Sequence, residues 1–142
     1  MQAKIKIFPS LLAADFGNLE AAARRAESCG ADGLHIDVMD GHFVANLSMG
    51  PDVVRMAKHC VRIPLSVHLM MTNPEKYAER FIKAGADILL IHVESECKVA
   101  ATLRRIRALG AEPGITINPE TPAKKIFPFL QLVDEVLVMS VH

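Results

Sequence analysis

His35-Ile36-Asp37-Val38-Met39-Asp40-Gly41-His42-Phe43-Val44-Ala45-Asn46 reads as a strand that runs into a loop crowded with functional groups. Alternate side chains of a strand share a face. His35, Asp37 and Met39 therefore point one way, and Ile36 and Val38 the other. Burying an imidazole beside a carboxylate is costly unless each is paired or bound to something. By itself the pair fits a satisfied core histidine beside a loop carboxylate. Taken alone that bland reading is the one to prefer, and the rest of the chain shifts the balance.

Working outward, strand and helix signals alternate. Lys4–Phe8 alternates Lys-Ile-Lys-Ile-Phe up to Pro9 and predicts a first strand, with residues 10–15 as the loop at its end. Leu19, Ala22, Ala23 and Ala26 follow at helical spacing, with Asn18 as N-cap and Gly30 as the stop. Gly33–Val38 is the second strand, and Gly50-Pro51 opens a helix with proline at its first position. Ile63–Leu69 is the third strand, and Asn73-Pro74 opens a helix carrying Tyr77, Ala78, Phe81 and Ile82. Asp87–Val93 is the fourth, followed by a helix with Val99, Ala100, Leu103 and Ile106 that ends at Gly110. Gly114–Ile117 is the fifth, Thr121-Pro122 opens a short helix that Pro128 interrupts, and Glu135–Val141 is the sixth strand.

Gly30-Ala31-Asp32, Gly85-Ala86-Asp87 and Gly110-Ala111-Glu112 each end a helix and lead into a strand. Strands alternating with helices through short connections predict an α/β fold with a parallel sheet and right-handed crossovers. A (β/α) barrel and a doubly wound open sheet both satisfy that pattern. No Gly-x-Gly-x-x-Gly follows the first strand segment, so the dinucleotide-binding version loses ground.

Composition narrows the class. The 142 residues are 51% hydrophobic, enough for one domain with a real core. Sixteen Lys plus Arg balance sixteen Asp plus Glu, which leaves no basic excess for nucleic acid or a membrane surface. No run approaches transmembrane length, and residues 1–9 lack the apolar region of a signal peptide. Cys29, Cys60 and Cys97 have no metal-type spacing and read as reduced thiols near helix ends in a cytoplasmic protein.

In parallel α/β folds the chemistry gathers at the C-terminal ends of the strands. Those ends offer Ser10, then His35 and Asp37 with Met39, then His68 in phase with Ser66 and Met70, then His92 and Glu94, then Asn118, and finally Met139 and Ser140. His35, Asp37 and His68 come from adjacent strands and make three ligands of a divalent metal site. The mixed nitrogen and oxygen set suits zinc, iron, manganese or cobalt. His92 and Glu94 are candidates for a supporting or a structural role. Met39, Met70 and Met139 are core filler by default, or an apolar lining around a reactive centre.

Several of these segments together resemble the ribulose-phosphate 3-epimerase family. They are Pro9-Ser10-Leu11-Leu12-Ala13-Ala14-Asp15, His35-x-Asp37-Val38-Met39-Asp40-Gly41-His42-Phe43-Val44, Val67-His68-Leu69-Met70, His92-Val93-Glu94, Asn118-Pro119-Glu120-Thr121-Pro122 and Val138-Met139-Ser140-Val141. Ala45, Ser66 and His142 depart from it, standing where proline, aspartate and asparagine are frequent. The resemblance implies a TIM-type (β/α) barrel of eight strands, with residues 1–142 holding strands one to six as a single partial domain. It implies interconversion of D-ribulose 5-phosphate and D-xylulose 5-phosphate at C3 through an enediolate, with one divalent metal ion and a sugar phosphate as the partner molecule. It implies Asp37 as metal ligand and general base, His35 and His68 as ligands, Ser10 and His68 as substrate contacts, and Met39, Met70 and Met139 flanking the enediolate. The chemistry suits these residues. A carboxylate with an ordinary pKa near ~3.9 can take a proton from carbon only if the enediolate is stabilised as it forms, which a Lewis acid does.

A full barrel usually takes about 250 residues, with roughly 200 as a lower bound. By the same resemblance, a second aspartate on strand seven and the glycine-rich phosphate backbone lie beyond His142. The expectation is an incomplete barrel with little or no epimerase activity by itself. Its open edges would favour a homo-oligomer or another partner. Three other readings stand beside it: an allulose-6-phosphate 3-epimerase, a non-catalytic half-barrel that associates through its edges, and a metal-binding module without catalysis.

Overall fold

The computed structural model describes residues 4–141. Five parallel strands lie side by side in chain order: β1 (Leu34–Met39), β2 (Leu65–Met70), β3 (Ile88–His92), β4 (Glu112–Ile117) and β5 (Glu135–Val138). Helices α1 (Leu19–Ser28), α2 (Pro51–Cys60), α3 (Ala78–Ala84) and α4 (Val99–Ala108) occupy the connections. This is an α/β sheet of the TIM-barrel type.

The helices cover one face of the sheet. Leu34, Ile36 and Val38 of β1, Leu65, Val67 and Leu69 of β2, Leu89 and Ile91 of β3, and Ile115 and Ile117 of β4 all point into that layer. There they meet Ala23, Val54, Ala57, Phe81, Leu103 and Ile106 from the helices, nearly all with no exposed surface. The other face carries His35, Asp37, Met39, His68, Met70, His92 and Thr116. In β1 the two faces are visible as strict alternation of buried and half-buried residues. Fully buried β2 and β3 lie in the middle of the sheet, where both faces are covered. Gly114 belongs to the inner face because a Cβ there would sit 2.5 Å from Leu90 Cδ2.

The helix stops fall where the glycines predict them. Gly30, Gly85 and Gly110 all have positive φ, the left-handed conformation that lets the chain leave a helix. Pro51 starts α2 at its first turn.

Several expectations need correction. Lys4–Phe8 forms no strand, so the sheet has five strands where six are expected among the described residues. The segment lies along β1 through Asp32 N–H to Ile7 O (3.0 Å) and His35 N–H to Pro9 O (2.9 Å). A ladder does not develop, because Pro9 has no N–H and the Ile7 N–H is taken by the Asp32 carboxylate (3.0 Å). Only Ser10 makes a bridge, to His35. Asn18 does not cap α1 with its side chain. Its amide instead donates to Asp15 (2.7 Å), whose carboxylate caps the 3-10 turn Phe16–Asn18. The helix expected from Thr121-Pro122 is two 3-10 turns, Ala123–Lys125 and Phe127–Leu132, the second with Pro128 in its first turn. The last strand ends at Val138, with one further bond from Met139 N–H to Ile117 O (3.1 Å).

Candidate functional site

The β1–β2 register sets Asp37 opposite His68 and Met39 opposite Met70. His35 lies two residues before Asp37 on the same face. Three ligand atoms converge as a result. Asp37 Oδ1 is 3.3 Å from His35 Nε2 and 3.2 Å from His68 Nδ1, and one atom from each side chain lies within 4.8 Å of the others. Two imidazole nitrogens and a carboxylate oxygen are a donor set that fits a divalent cation of the zinc, iron, manganese or cobalt kind.

Ser10 completes the grip on Asp37. Its hydroxyl donates to Asp37 Oδ2 at 2.5 Å and itself accepts the Leu12 N–H at 3.1 Å. The segment before α1 thus reaches across to the carboxylate. Burial alone would raise the Asp37 pKa. Hydrogen bonds from His35, His68 and Ser10 outweigh it and hold the carboxyl well below the usual carboxylate range. Asp37 is therefore an anion at neutral pH.

A line of contacts continues inward from His68. His68 Nε2 is 2.8 Å from His92 Nε2, and His92 Nδ1 is 3.1 Å from Glu94 Oε2. The two imidazole rings stack with centroids 4.9 Å apart. Glu94 Oε1 accepts the Asn118 N–H at 2.9 Å, which ties the loop after β4 to the end of β3. Both histidines are 1% exposed. Burial pushes the His68 pKa down against the pull of Asp37. Burial and the neighbouring His68 push His92 down to about 4, against the pull of Glu94. Burial would raise Glu94, but the Asn118 amide and the Thr121 side chain bring it below its ordinary value.

The methionines separate into two settings. Met70 and Met139 line a cavity of about 180 Å³ with Phe43, His92 and Asn118. Met39 lies across the strand pair from Met70 and does not line that cavity. Two side chains at this end make contacts that their place in the sequence does not announce. Ser48 Oγ donates to Asp37 O (2.6 Å) and accepts Met39 N–H (2.9 Å), pinning the loop back onto β1. Phe43 lays its ring against His92, with centroids 4.5 Å apart. A serine or a phenylalanine in a polar loop announces neither contact.

Comparison with known proteins identifies the family of the chain. The model of the "Ribulose-phosphate 3 epimerase family" matches residues 6–142. The chain is 44% identical over 138 residues to the ribulose-phosphate 3-epimerase of Rhodobacter capsulatus, covering 97% of this chain and 60% of the relative. It is 43% identical to the ribulose-phosphate 3-epimerase of Bacillus subtilis, covering 97% and 64%. The chloroplastic ribulose-5-phosphate-3-epimerase of Arabidopsis thaliana is 43% identical, with 97% and 50% covered. The chain thus spans between half and two thirds of the length of these relatives. Among solved structures, 3-keto-L-gulonate-6-phosphate decarboxylase from Vibrio cholerae superposes with a TM-score of 0.71 at 20% identity, over 92% of this chain and 59% of that one. A tryptophan synthase alpha subunit from Legionella pneumophila gives 0.66 at 15% identity, over 96% and 62%. At these identities the two structures establish the fold only.

Proposed function

Given that this chain belongs to the ribulose-phosphate 3-epimerase family, we propose that it supplies the proton-abstracting carboxylate and three metal ligands for epimerising ribulose 5-phosphate at C3. The observation that carries this reading is the convergence of His35 Nε2, Asp37 Oδ1 and His68 Nδ1. The relatives are named ribulose-phosphate 3-epimerases, and the Arabidopsis thaliana one a ribulose-5-phosphate-3-epimerase.

Epimerisation beside a ketone removes a proton from one face of the carbon and returns one to the other. Asp37 is suited to the removal: it is anionic, half-buried, and held at Oδ2 by Ser10. A divalent ion bound by His35, Asp37 and His68 would supply Lewis-acid stabilisation of the charge that develops on the substrate oxygens. Ser10 orients the carboxylate and offers a hydroxyl to the substrate. Met70, Met139 and Phe43 provide an apolar wall that keeps water from the reacting carbon, and Met39 extends it along β1.

Titration with Co²⁺ tests the ligand set, because imidazole and carboxylate coordination gives a visible absorption band. One ion per chain is expected, with the band lost in Asp37→Asn and in His68→Ala. The same preparation in D₂O reads the base, as deuterium entering C3 of ribulose 5-phosphate in a manner that depends on Asp37. A Co²⁺ spectrum indifferent to both substitutions would remove the ligand assignment.

A further inference from the structure

The cavity of about 180 Å³ lined by Phe43, Met70 and Met139 adjoins the ligand set through two strands. Met70 follows His68 by two residues on the same face of β2. His92, in the cavity wall, has its Nε2 2.8 Å from His68 Nε2. A substrate held at His35, Asp37 and His68 therefore has one end within reach of this space. A ketose phosphate has two unlike ends. One carries the dianionic phosphate, and the other is an uncharged hydroxymethyl group beside the ketone.

The cavity has little to offer a phosphate. Among the described residues no lysine or arginine lines it. Its backbone donors are already spent: Asn118 N–H on Glu94 Oε1 (2.9 Å), Met139 N–H on Ile117 O (3.1 Å) and Phe43 N–H on Asp40 Oδ1 (3.2 Å). Pro119 has no N–H to give. Both ring nitrogens of His92 are engaged, one by His68 and one by Glu94. Glu120 adds a carboxylate to the lining, so a phosphate here would be desolvated beside like charge. A hydroxymethyl group meets no such cost. Phe43, Met70 and Met139 cover its carbon, and Asn118 and Glu120 supply polar groups for its hydroxyl.

We propose that this cavity is the subsite for the C1–C2 end of the ketose, and that Phe43 is a specificity-determining residue that keeps it closed to substrates phosphorylated at C1. The inference rests on the metal reading above for where the substrate is held. It adds which end lies where, and what the site refuses. Ketose 5-phosphates with a free C1 hydroxyl enter, and 1,5-bisphosphates do not. A six-carbon ketose 6-phosphate has the same C1–C2 end, so this cavity sorts by charge and not by chain length.

Methyl NMR tests the assignment on the chain labelled with [¹³C-methyl]methionine and supplied with Zn²⁺. D-ribulose 5-phosphate should shift the Met70 and Met139 signals together. D-ribulose 1,5-bisphosphate should need a concentration about 100-fold higher to do the same. Phe43→Lys sets an ammonium at the cavity and should narrow that gap about 10-fold. Leu47→Lys, which adds the same charge to the same loop at an exposed position outside the cavity, should leave the gap as it is. Equal affinity of the wild-type chain for the two sugars overturns the inference, and so does ribulose 5-phosphate that leaves both methyls unmoved. A folded Phe43→Lys chain with the wild-type ratio, or a Leu47→Lys chain that narrows it equally, overturns the role given to Phe43. The stated preference in a chain that binds no Zn²⁺ leaves the subsite standing and defeats the metal reading instead.

Discussion

Ser48 is bonded to both sides of one peptide stretch of β1: its hydroxyl donates to Asp37 O at 2.6 Å and accepts from Met39 N–H at 2.9 Å. It does for the end of the strand what a neighbouring strand would do elsewhere. Ser48→Ala leaves a half-buried carbonyl and amide without this partner, at a cost of about 1–3 kcal/mol. Urea denaturation should show the loss, and Co²⁺ affinity should fall with it because Asp37 is carried on that stretch. An unchanged denaturation midpoint would mean that the loop does not brace the strand.

Acid should destabilise the fold well above the range in which Asp37 takes up its proton. His92 has a pKa of about 4 in the fold against 6.5 in the open chain. His68 is displaced in the same direction. Below pH 6.5 the unfolded chain binds protons that the folded chain refuses, so the histidine contribution costs stability progressively down to about 4 and changes little beneath it. His92 alone accounts for about 3 kcal/mol across that window. Asp37 acts lower: its pKa is depressed, so its contribution persists above 3.8 and is lost as pH falls below it. Denaturation at pH 7 and pH 4.5 should show a large drop for the wild type and a smaller one for His92→Asn.

Gly114 and Leu90 share one space on the inner face. A methyl at position 114 would lie 2.5 Å from Leu90 Cδ2 and 2.9 Å from its Cγ. Leu90 is fully buried and has little room to move. Gly114→Ala should cost about 1–3 kcal/mol from overpacking. Adding Leu90→Val should recover part of it, so the double variant is more stable than the sum of the single losses predicts. Strict additivity in a thermal-denaturation cycle would show that the two positions do not compete.

The thiols differ in burial. Cys29 is exposed, Cys97 is partly covered and Cys60 is buried. Burial also pushes the Cys60 and Cys97 thiols up, away from the reactive thiolate. A thiol reagent at pH 8 should modify Cys29 quickly and the other two only slowly. Three equal fast phases from native chain would contradict the packing around Cys60.

The apolar alternation of β1 and the glycine stops were legible in the sequence because period and turn chemistry are local. The convergence of His35, Asp37 and His68 was legible for the same reason: they fall in phase on one face of two neighbouring strands. Lys4–Phe8 was misread because alternation is also what an extended segment shows when a side chain, here Asp32, takes the amide that a ladder would use. The capping role of Asp15 over Asn18 was missed because both residue types suit either position. Ser48 was beyond reach, since its importance lies in two backbone atoms 9 and 11 residues away. The link from His68 to His92 needs the β2–β3 register, which no single segment encodes.

The alternation in β1 also makes chain registration the coordinate on which the ligand set depends. A slip of one residue between β1 and β2 would drive Asp37 into the helix layer, where Ile36 and Val38 now sit. A slip of two would keep both faces correct and the core intact, yet would set Asp37 opposite Ser66 or Met70 in place of His68. A chain shifted by two would pass every test of compactness and helix content while holding no ion. For this sheet, compactness and the proposed metal uptake are separate observables, and only the second would report that the strands have met at the right residue.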